Sequence, residues 1–239
     1  MTNPLIQIDH AALKAASRIM ARNDIRYYLN GVYVEATPTE TIIAATDGHR
    51  LLALHAYAEN EVQEAATLII PGEVVKRIVD GSLKTVRQVS LTQASDDKWT
   101  VPLHQWGVDL TFRSVEGIFP DWRKVIPAKA SGQHANINPE YLAAFQAAAY
   151  DLCGKPGRRA RVPTGIEVRP NGTGGALVFA PSSHTIGFIG VVMPLMTETN
   201  PRSEPPAWAL TPEPKLVASR RGLLAAKTLP APQPAEAQA

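Results

Sequence analysis

One order of elements recurs along this chain, and that order limits the fold more than any single motif does. "IQIDHAALKAASRIMARND" reads as a short alternating strand that passes, through Asp9 as an N-cap, into a helix with Leu13, Ala16, Ile19 and Met20 at helical spacing. "RYYLNGVYVEA" and "TIIAATDGHRLLALHAYA" follow as strands rich in Tyr, Val, Ile and Leu, with Pro38 marking the turn between them. The order then restarts. "ATLIIPGEVVKRIVDG" predicts a strand, a helix start at Pro71, an inward face of Val74, Val75 and Ile78, and a stop at Gly81; "TVRQVSLTQ", "KWTVPLH" and "VDLTFRSVEG" are the strands after it. A third unit begins at "HANINPEYLAAFQAAAYDLCG", where Asn138 caps a helix with Pro139 at its first position and Glu140 in its first turn, and continues into "TGIEVRP", "GALVFAP" and "TIGFIGVVMPLM". Three successive units of one helix plus about three strands predict an α+β fold with antiparallel sheets.

From about Thr197 the texture changes to a Pro- and Ala-rich stretch with no sustained apolar period, which cannot bury enough surface to offset its ordering entropy; a disordered tail is expected there. The remainder, in a chain of 239 residues that are 45% hydrophobic and 19% charged, is long enough for a sizeable core. No run approaches the roughly 18 to 20 apolar residues of a membrane span, and "MTNPLIQIDH" lacks the basic start and apolar middle of a secretory signal, so a cytoplasmic address is expected. A single cysteine, Cys153, excludes an internal disulfide framework and a multi-cysteine metal site. The net charge of +2 gives no strong whole-molecule pull toward nucleic acid, so any such contact has to come from local segregation of Lys and Arg.

The run "AATDGHRLL" admits two readings. Asp47, His49 and Arg50 together resemble acid-base machinery, whereas Asp47-Gly48 supplies the residues of a hairpin turn. Catalysis needs a nucleophile or metal partners, and no HxxxH, HExxH, CxxC, GxSxG or P-loop pattern occurs; the turn reading is preferred, with no enzyme activity, cofactor or metal expected.

Taken together, "RYYLNGVYVE", "AATDGHRLL", "VEGIFPDWRKVIP" and the later "VVMPLM", in that order, closely resemble the bacterial DNA polymerase III β subunit, the sliding-clamp family. On that resemblance residues 1–127 correspond to the family's middle domain, 128–197 to the second half of its last domain, and 198–239 to the tail. The family's first domain and the first half of its last domain have no counterpart, and a tail replaces its Arg-Leu ending, which implies a shortened clamp of phage, plasmid or other mobile-element type. The resemblance implies a DNA-clamp fold with helices on one face of the sheets, a non-catalytic processivity factor around duplex DNA, and partner polymerases bound through a short linear motif. It also implies a clamp loader as a partner, and a homo-oligomer, since complete clamps are rings of twelve helix-bearing half units. The implied peptide cleft comprises Leu29, Thr46, Gly48, His49, Arg50, Leu51, Pro120, Lys124, Val125, Val191, Val192, Met193, Pro194 and Leu195. An ordinary buried edge strand is the alternative for Val191, Val192 and Met193.

The cleft reading is chemically coherent: Leu, Val and Met form an adaptable apolar groove, and Arg50 and Lys124 can pair with polar or carboxylate groups of a peptide. For DNA, Lys14, Arg18 and Arg22 recur at i, i+4 and i+8 on the first helix, Lys76, Arg77, Lys84 and Arg87 lie in and after the second, and Lys155, Arg158, Arg159 and Arg161 follow the third. A basic stripe is most often a solvated face. Here each helix, or the loop beside it, is basic while acids gather in loops such as "AENEVQEA", which favours a surface that holds phosphates without reading bases. A different class of function, an adaptor or decoy that keeps the cleft without encircling DNA, fits the same cleft residues.

Overall fold

Backbone geometry in the computed structural model is described for residues 3–82, 86–154, 165–180 and 186–195. Lys84, Lys155, Arg158, Arg159, Arg161 and the expected tail lie outside them. The described residues form three α-helices and eleven strands in the anticipated order. The first unit is β1 (Leu5–Asp9), α1 (His10–Ala16), β2 (Gly31–Ala36), β3 (Glu40–Thr46) and β4 (Arg50–Tyr57). The second is β5 (Ala66–Pro71), α2 (Gly72–Gly81), β6 (Gln88–Ser95), β7 (Lys98–Leu103) and β8 (Val108–Arg113). The third is α3 (Pro139–Cys153) with β9 (Glu167–Arg169), β10 (Ala176–Phe179) and β11 (Ile186–Val192).

Units one and two exchange their first strands. β1 pairs with β6 in a sheet ordered β1-β6-β7-β8, while β5 pairs with β2 in the other sheet, ordered β5-β2-β3-β4-β11-β10-β9. All these pairings are antiparallel. The strand faces alternate as period-two geometry requires, and the inner faces of both sheets meet the helices in one core that includes Ile6, Ile8, Leu13, Ile43, Leu54, Ile70, Ile78, Leu91 and Phe145.

Helix starts follow the sequence signals. Asp9 Oδ1 accepts the Ala12 amide at 2.9 Å, and Asn138 Oδ1 accepts the Glu140 amide at 2.9 Å, each satisfying a donor the helix cannot use internally. The first helix is shorter than its apolar spacing predicts. It ends at Ala16, where the Ser17 hydroxyl donates to the Lys14 carbonyl at 2.6 Å and the following amides of Arg18 and Ile19 bond three residues back. Ile19 stays fully buried, but Arg18 and Arg22 leave the helical line that the i, i+4, i+8 spacing assumed.

The third unit is tied to the first by β4 and β11, which pair in register from Ile186–Ala56 to Val192–Arg50. Phe145 from α3 seals the joint. It is fully buried, meets Phe188 edge-on at 6.3 Å, and sits so close to Gly190 that a Cβ there would come within 2.6 Å of its ring. Truncation by Phe145→Ala is expected to lower unfolding free energy by about 3–5 kcal/mol, measured by urea denaturation with unchanged slope.

Candidate functional site

The β3–β4 turn is held from within. Asp47 Oδ1 accepts the amides of His49 at 2.9 Å and Arg50 at 3.0 Å, and its other oxygen accepts Arg50 Nε at 2.9 Å. The Thr46 hydroxyl donates to the Arg50 carbonyl at 2.7 Å and accepts the Gly48 amide at 3.1 Å. Gly48 has φ +91°, a left-handed geometry where a side chain would be strained, and a Cβ there would also press on the Arg26 guanidinium at 2.8 Å. Asp47 is thereby spent as a turn acceptor, and His49 projects against Tyr141 of α3, the two rings near-parallel with centroids 6.1 Å apart. Arg50 lies over the same Tyr141 ring at 5.0 Å.

Beside this turn, β11 sets Val191 opposite Leu51 and Val192 opposite Arg50, and the Met193 amide donates to the His49 carbonyl at 2.8 Å. A third segment closes the side: Phe119 is buried and stacked on Tyr33 at 4.9 Å, and Arg123 holds Glu35 through two bonds of 2.9 and 3.0 Å while its guanidinium covers the Trp122 ring at 4.2 Å. Between them lies a mainly apolar groove of about 150 Å³. Leu29, Thr46, Gly48, His49, Arg50, Leu51, Pro120, Val125, Val191 and Met193 line it, together with Arg26 and Trp122, which sequence reasoning missed.

Four anticipated residues lie elsewhere. Val192 points to the opposite face of β11 from Val191 and is fully buried in the main core, as alternation demands. Lys124 is highly exposed and pairs with Asp121 at 3.2 Å. Pro194 and Leu195 follow the end of β11 outside the lining, and the Leu195 amide bonds the Asn136 carbonyl at 2.7 Å. Trp122 carries a signal in retrospect, an aromatic two residues after Pro120; its indole N–H is buried with no partner among the described residues. Arg26 is placed by the short helical turn Tyr27–Leu29 and by Asp24, which no periodicity announces.

The basic residues gather on another face. Lys14, Arg18, Arg22 and Lys76 line an open depression of about 490 Å³ between α1 and α2, alongside Glu73 and Asp80. Arg77 and Arg87 are exposed and outside it. Asp151 of α3 holds two of the cations: Lys14 Nζ lies 3.1 Å from it, and Arg18 donates to it through both Nε and Nη2. That bond to Asp151 raises the Arg18 pKa. Among the described residues no three of His, Cys, Asp and Glu are grouped to hold a metal ion, and no helix is long and apolar enough to cross a membrane.

Residues 10–121 match the family described as DNA polymerase III beta subunit, central domain. The likeness is to the bacterial sliding clamp. The beta sliding clamp of Proteus mirabilis is 35% identical over 111 residues, 45% of this chain and 29% of that protein. The Escherichia coli K12 clamp is 32% identical over 118 residues, 48% of this chain and 30% of that protein. The chain thus spans less than a third of the length of these curated relatives in its sequence match. A sliding clamp from Pseudomonas aeruginosa, solved with ligand, superposes at a TM-score of 0.63 with 17% identity over 82% of this chain and 67% of that one. The Thermotoga maritima beta subunit gives 0.57 with 15% identity over 82% of this chain and 66% of that one. These likenesses show a clamp-like α+β fold that extends beyond the matched sequence into the third unit.

Beside the groove, two hydrogen bonds from the Arg26 guanidinium and one from its amide hold the Asp24 carboxyl well below its ordinary value, at about 2. A depressed carboxyl contributes stability above its unfolded pKa and loses it as pH falls through the folded one, here from 3.8 to about 2. Carbon chemical shifts of the Asp24 carboxyl are expected to titrate near 2 in the folded chain and to return toward 3.8 in Arg26→Met.

Proposed function

We propose that this chain is a clamp-like DNA replication factor that holds a partner protein through a short peptide in the Leu29–Leu51–Met193 groove and rests on duplex DNA without reading its sequence. The observation that carries the reading is the groove itself: four separate stretches, 26–29, 46–51, 120–125 and 191–193, converge on an apolar slot whose rim carries Arg26 and Arg50. Such a slot accepts an extended peptide with one or two large apolar side chains and a polar group for the arginines. Polymerases and other clamp-binding proteins are the partners, a clamp loader would place the chain on DNA, and the segments 1–127 and 128–197 act as a middle domain and a partial last domain. The site so described performs no chemistry on its partner.

Met193 is 43% exposed at the groove, which gives a peptide apolar surface to cover there. Met193→Ala should cost about 1–2 kcal/mol, roughly five- to thirtyfold in affinity for a labelled peptide bearing Gln and a Leu-Phe pair. His49→Ala, whose ring leans on Tyr141, should cost less. Absence of binding, or binding indifferent to Met193, would remove the peptide reading.

For DNA, the depression between α1 and α2 offers Lys14, Arg18, Arg22 and Lys76, two of them already engaged by Asp151. That neutralisation favours weak binding, and it is also the observation that supports the second reading, an adaptor that keeps the groove without encircling DNA. Asp151→Asn releases both cations; it should tighten binding to any duplex and steepen its salt dependence by up to about two counterions, whereas Lys14→Glu with Lys76→Glu should weaken it for all sequences alike. Fluorescence anisotropy at several salt concentrations measures both, and an unchanged slope in Asp151→Asn would favour the adaptor.

A further inference from the structure

An apolar groove covers apolar side chains but leaves a peptide's main chain unanswered. Every residue of a peptide brings a carbonyl, and each carbonyl taken out of water needs a donor. The main-chain donors of the β3–β4 turn are already engaged: the Gly48 amide by the Thr46 hydroxyl, and the amides of His49 and Arg50 by Asp47. The Met193 amide is bonded to the His49 carbonyl, the Thr46 hydroxyl donates to the Arg50 carbonyl, and Pro120 has no N–H. Arg26 and Arg50 stand at the rim, held by Asp24 and Asp47.

Trp122 departs from this pattern. Its indole N–H is buried and has no partner among the described residues, whereas the great majority of buried donors have one. The side chain lines the groove and packs against two separate apolar clusters, one containing Leu29 and Phe119, the other Leu51 and Val191. Arg123, bonded twice to Glu35, covers the ring at 4.2 Å and keeps it in place beside Val125 of the same short turn. An indole nitrogen donates and does not accept, so only an acceptor can complete it.

We propose that Trp122 is a specificity-determining residue of the groove, whose indole N–H donates to a main-chain carbonyl of the bound peptide beside its large apolar side chains. The inference rests on the peptide reading of the groove. It selects an extended segment over a helical one, because the inner carbonyls of a helix are already engaged by its own amides. The N–H is buried in the free chain, so the entering peptide parts the groove walls at Trp122, and the bond formed there offsets part of that cost. A donor unpaired beforehand gives up no bond in exchange, which places its contribution at the upper end for a neutral hydrogen bond.

The labelled peptide bearing Gln and a Leu-Phe pair, together with analogues in which single main-chain amides are replaced by esters, tests this on the full chain. An ester carbonyl is a weaker acceptor than an amide carbonyl. Trp122→Phe keeps an aromatic ring, removes the donor, and should weaken the all-amide peptide about tenfold. One ester position should weaken binding to the parent chain and add nothing in Trp122→Phe, the non-additivity that a direct bond requires. The Trp122 indole N–H resonance, assigned through Asp121 and Arg123, should move downfield as the peptide saturates the chain. Losses that add at every ester position, or an indole resonance unmoved at saturation, overturn the proposal, and the resonance decides even where Trp122→Phe fails to fold. A peptide that binds with its Met193 dependence but leaves the indole unmoved removes this inference alone, whereas one that does not bind removes the groove reading with it.

Discussion

The pairing of β4 with β11 is the constraint on which the rest depends. It joins two segments far apart in the chain into one sheet, so the entropy of closing the loop between them is met once and then shared by a continuous ladder of main-chain bonds. The same ladder fixes what stands beside the β3–β4 turn. Because Val191 is opposite Leu51 and the Met193 amide is bonded to the His49 carbonyl, a shift of one residue would send Val191 into the core and Val192 toward the groove. Phe145 against Gly190 opposes such a shift, since only glycine leaves room for the ring. Groove and core are therefore specified by one register.

Much of this was legible in the sequence, and the reasons are specific. Asn138-Pro139 and Asp9 are local chemistry, a side-chain acceptor beside free helix amides, and both act as caps where their spacing said they would. Asp47-Gly48 gave the turn, because few residues other than glycine tolerate φ of +91°. The order of units gave α+β with antiparallel sheets. The exchange of β1 and β5 between sheets is a long-range pairing choice that no local pattern encodes. Apolar spacing also overran the first helix: Ile19 is buried as its spacing required, but through a tightened turn after Ser17, not through continued helix. At the groove, ten of the anticipated residues converge, while Val192 is excluded by strand alternation alone and Trp122, an aromatic two residues after Pro120, is held there by the segment that Arg123 and Glu35 fix.

Charge shows the clearest gap between composition and structure. Lysines and arginines counted along α1 look like a free stripe, yet Asp151, on a helix from the third unit, binds two of them. A carboxylate placed across a helix–helix contact lowers the local field and also ties α3 to α1. The basic face is thus partly structural, and the phosphate contact we propose for it would draw on Arg22, Lys76 and the exposed Arg77 as much as on the first helix.

Four stretches of chain, 26–29, 46–51, 120–125 and 191–193, assemble one groove, and the proposed function rests on it. An amide spectrum recorded while the chain is titrated with a clamp-binding peptide examines that directly, because each stretch reports on its own residues. A single groove predicts concerted shifts at Leu29, Gly48, His49, Leu51, Val125 and Met193, saturating at one peptide per chain, with Lys76 and Arg77 of α2 unmoved. Shifts confined to one stretch, or centred on α2, would contradict it.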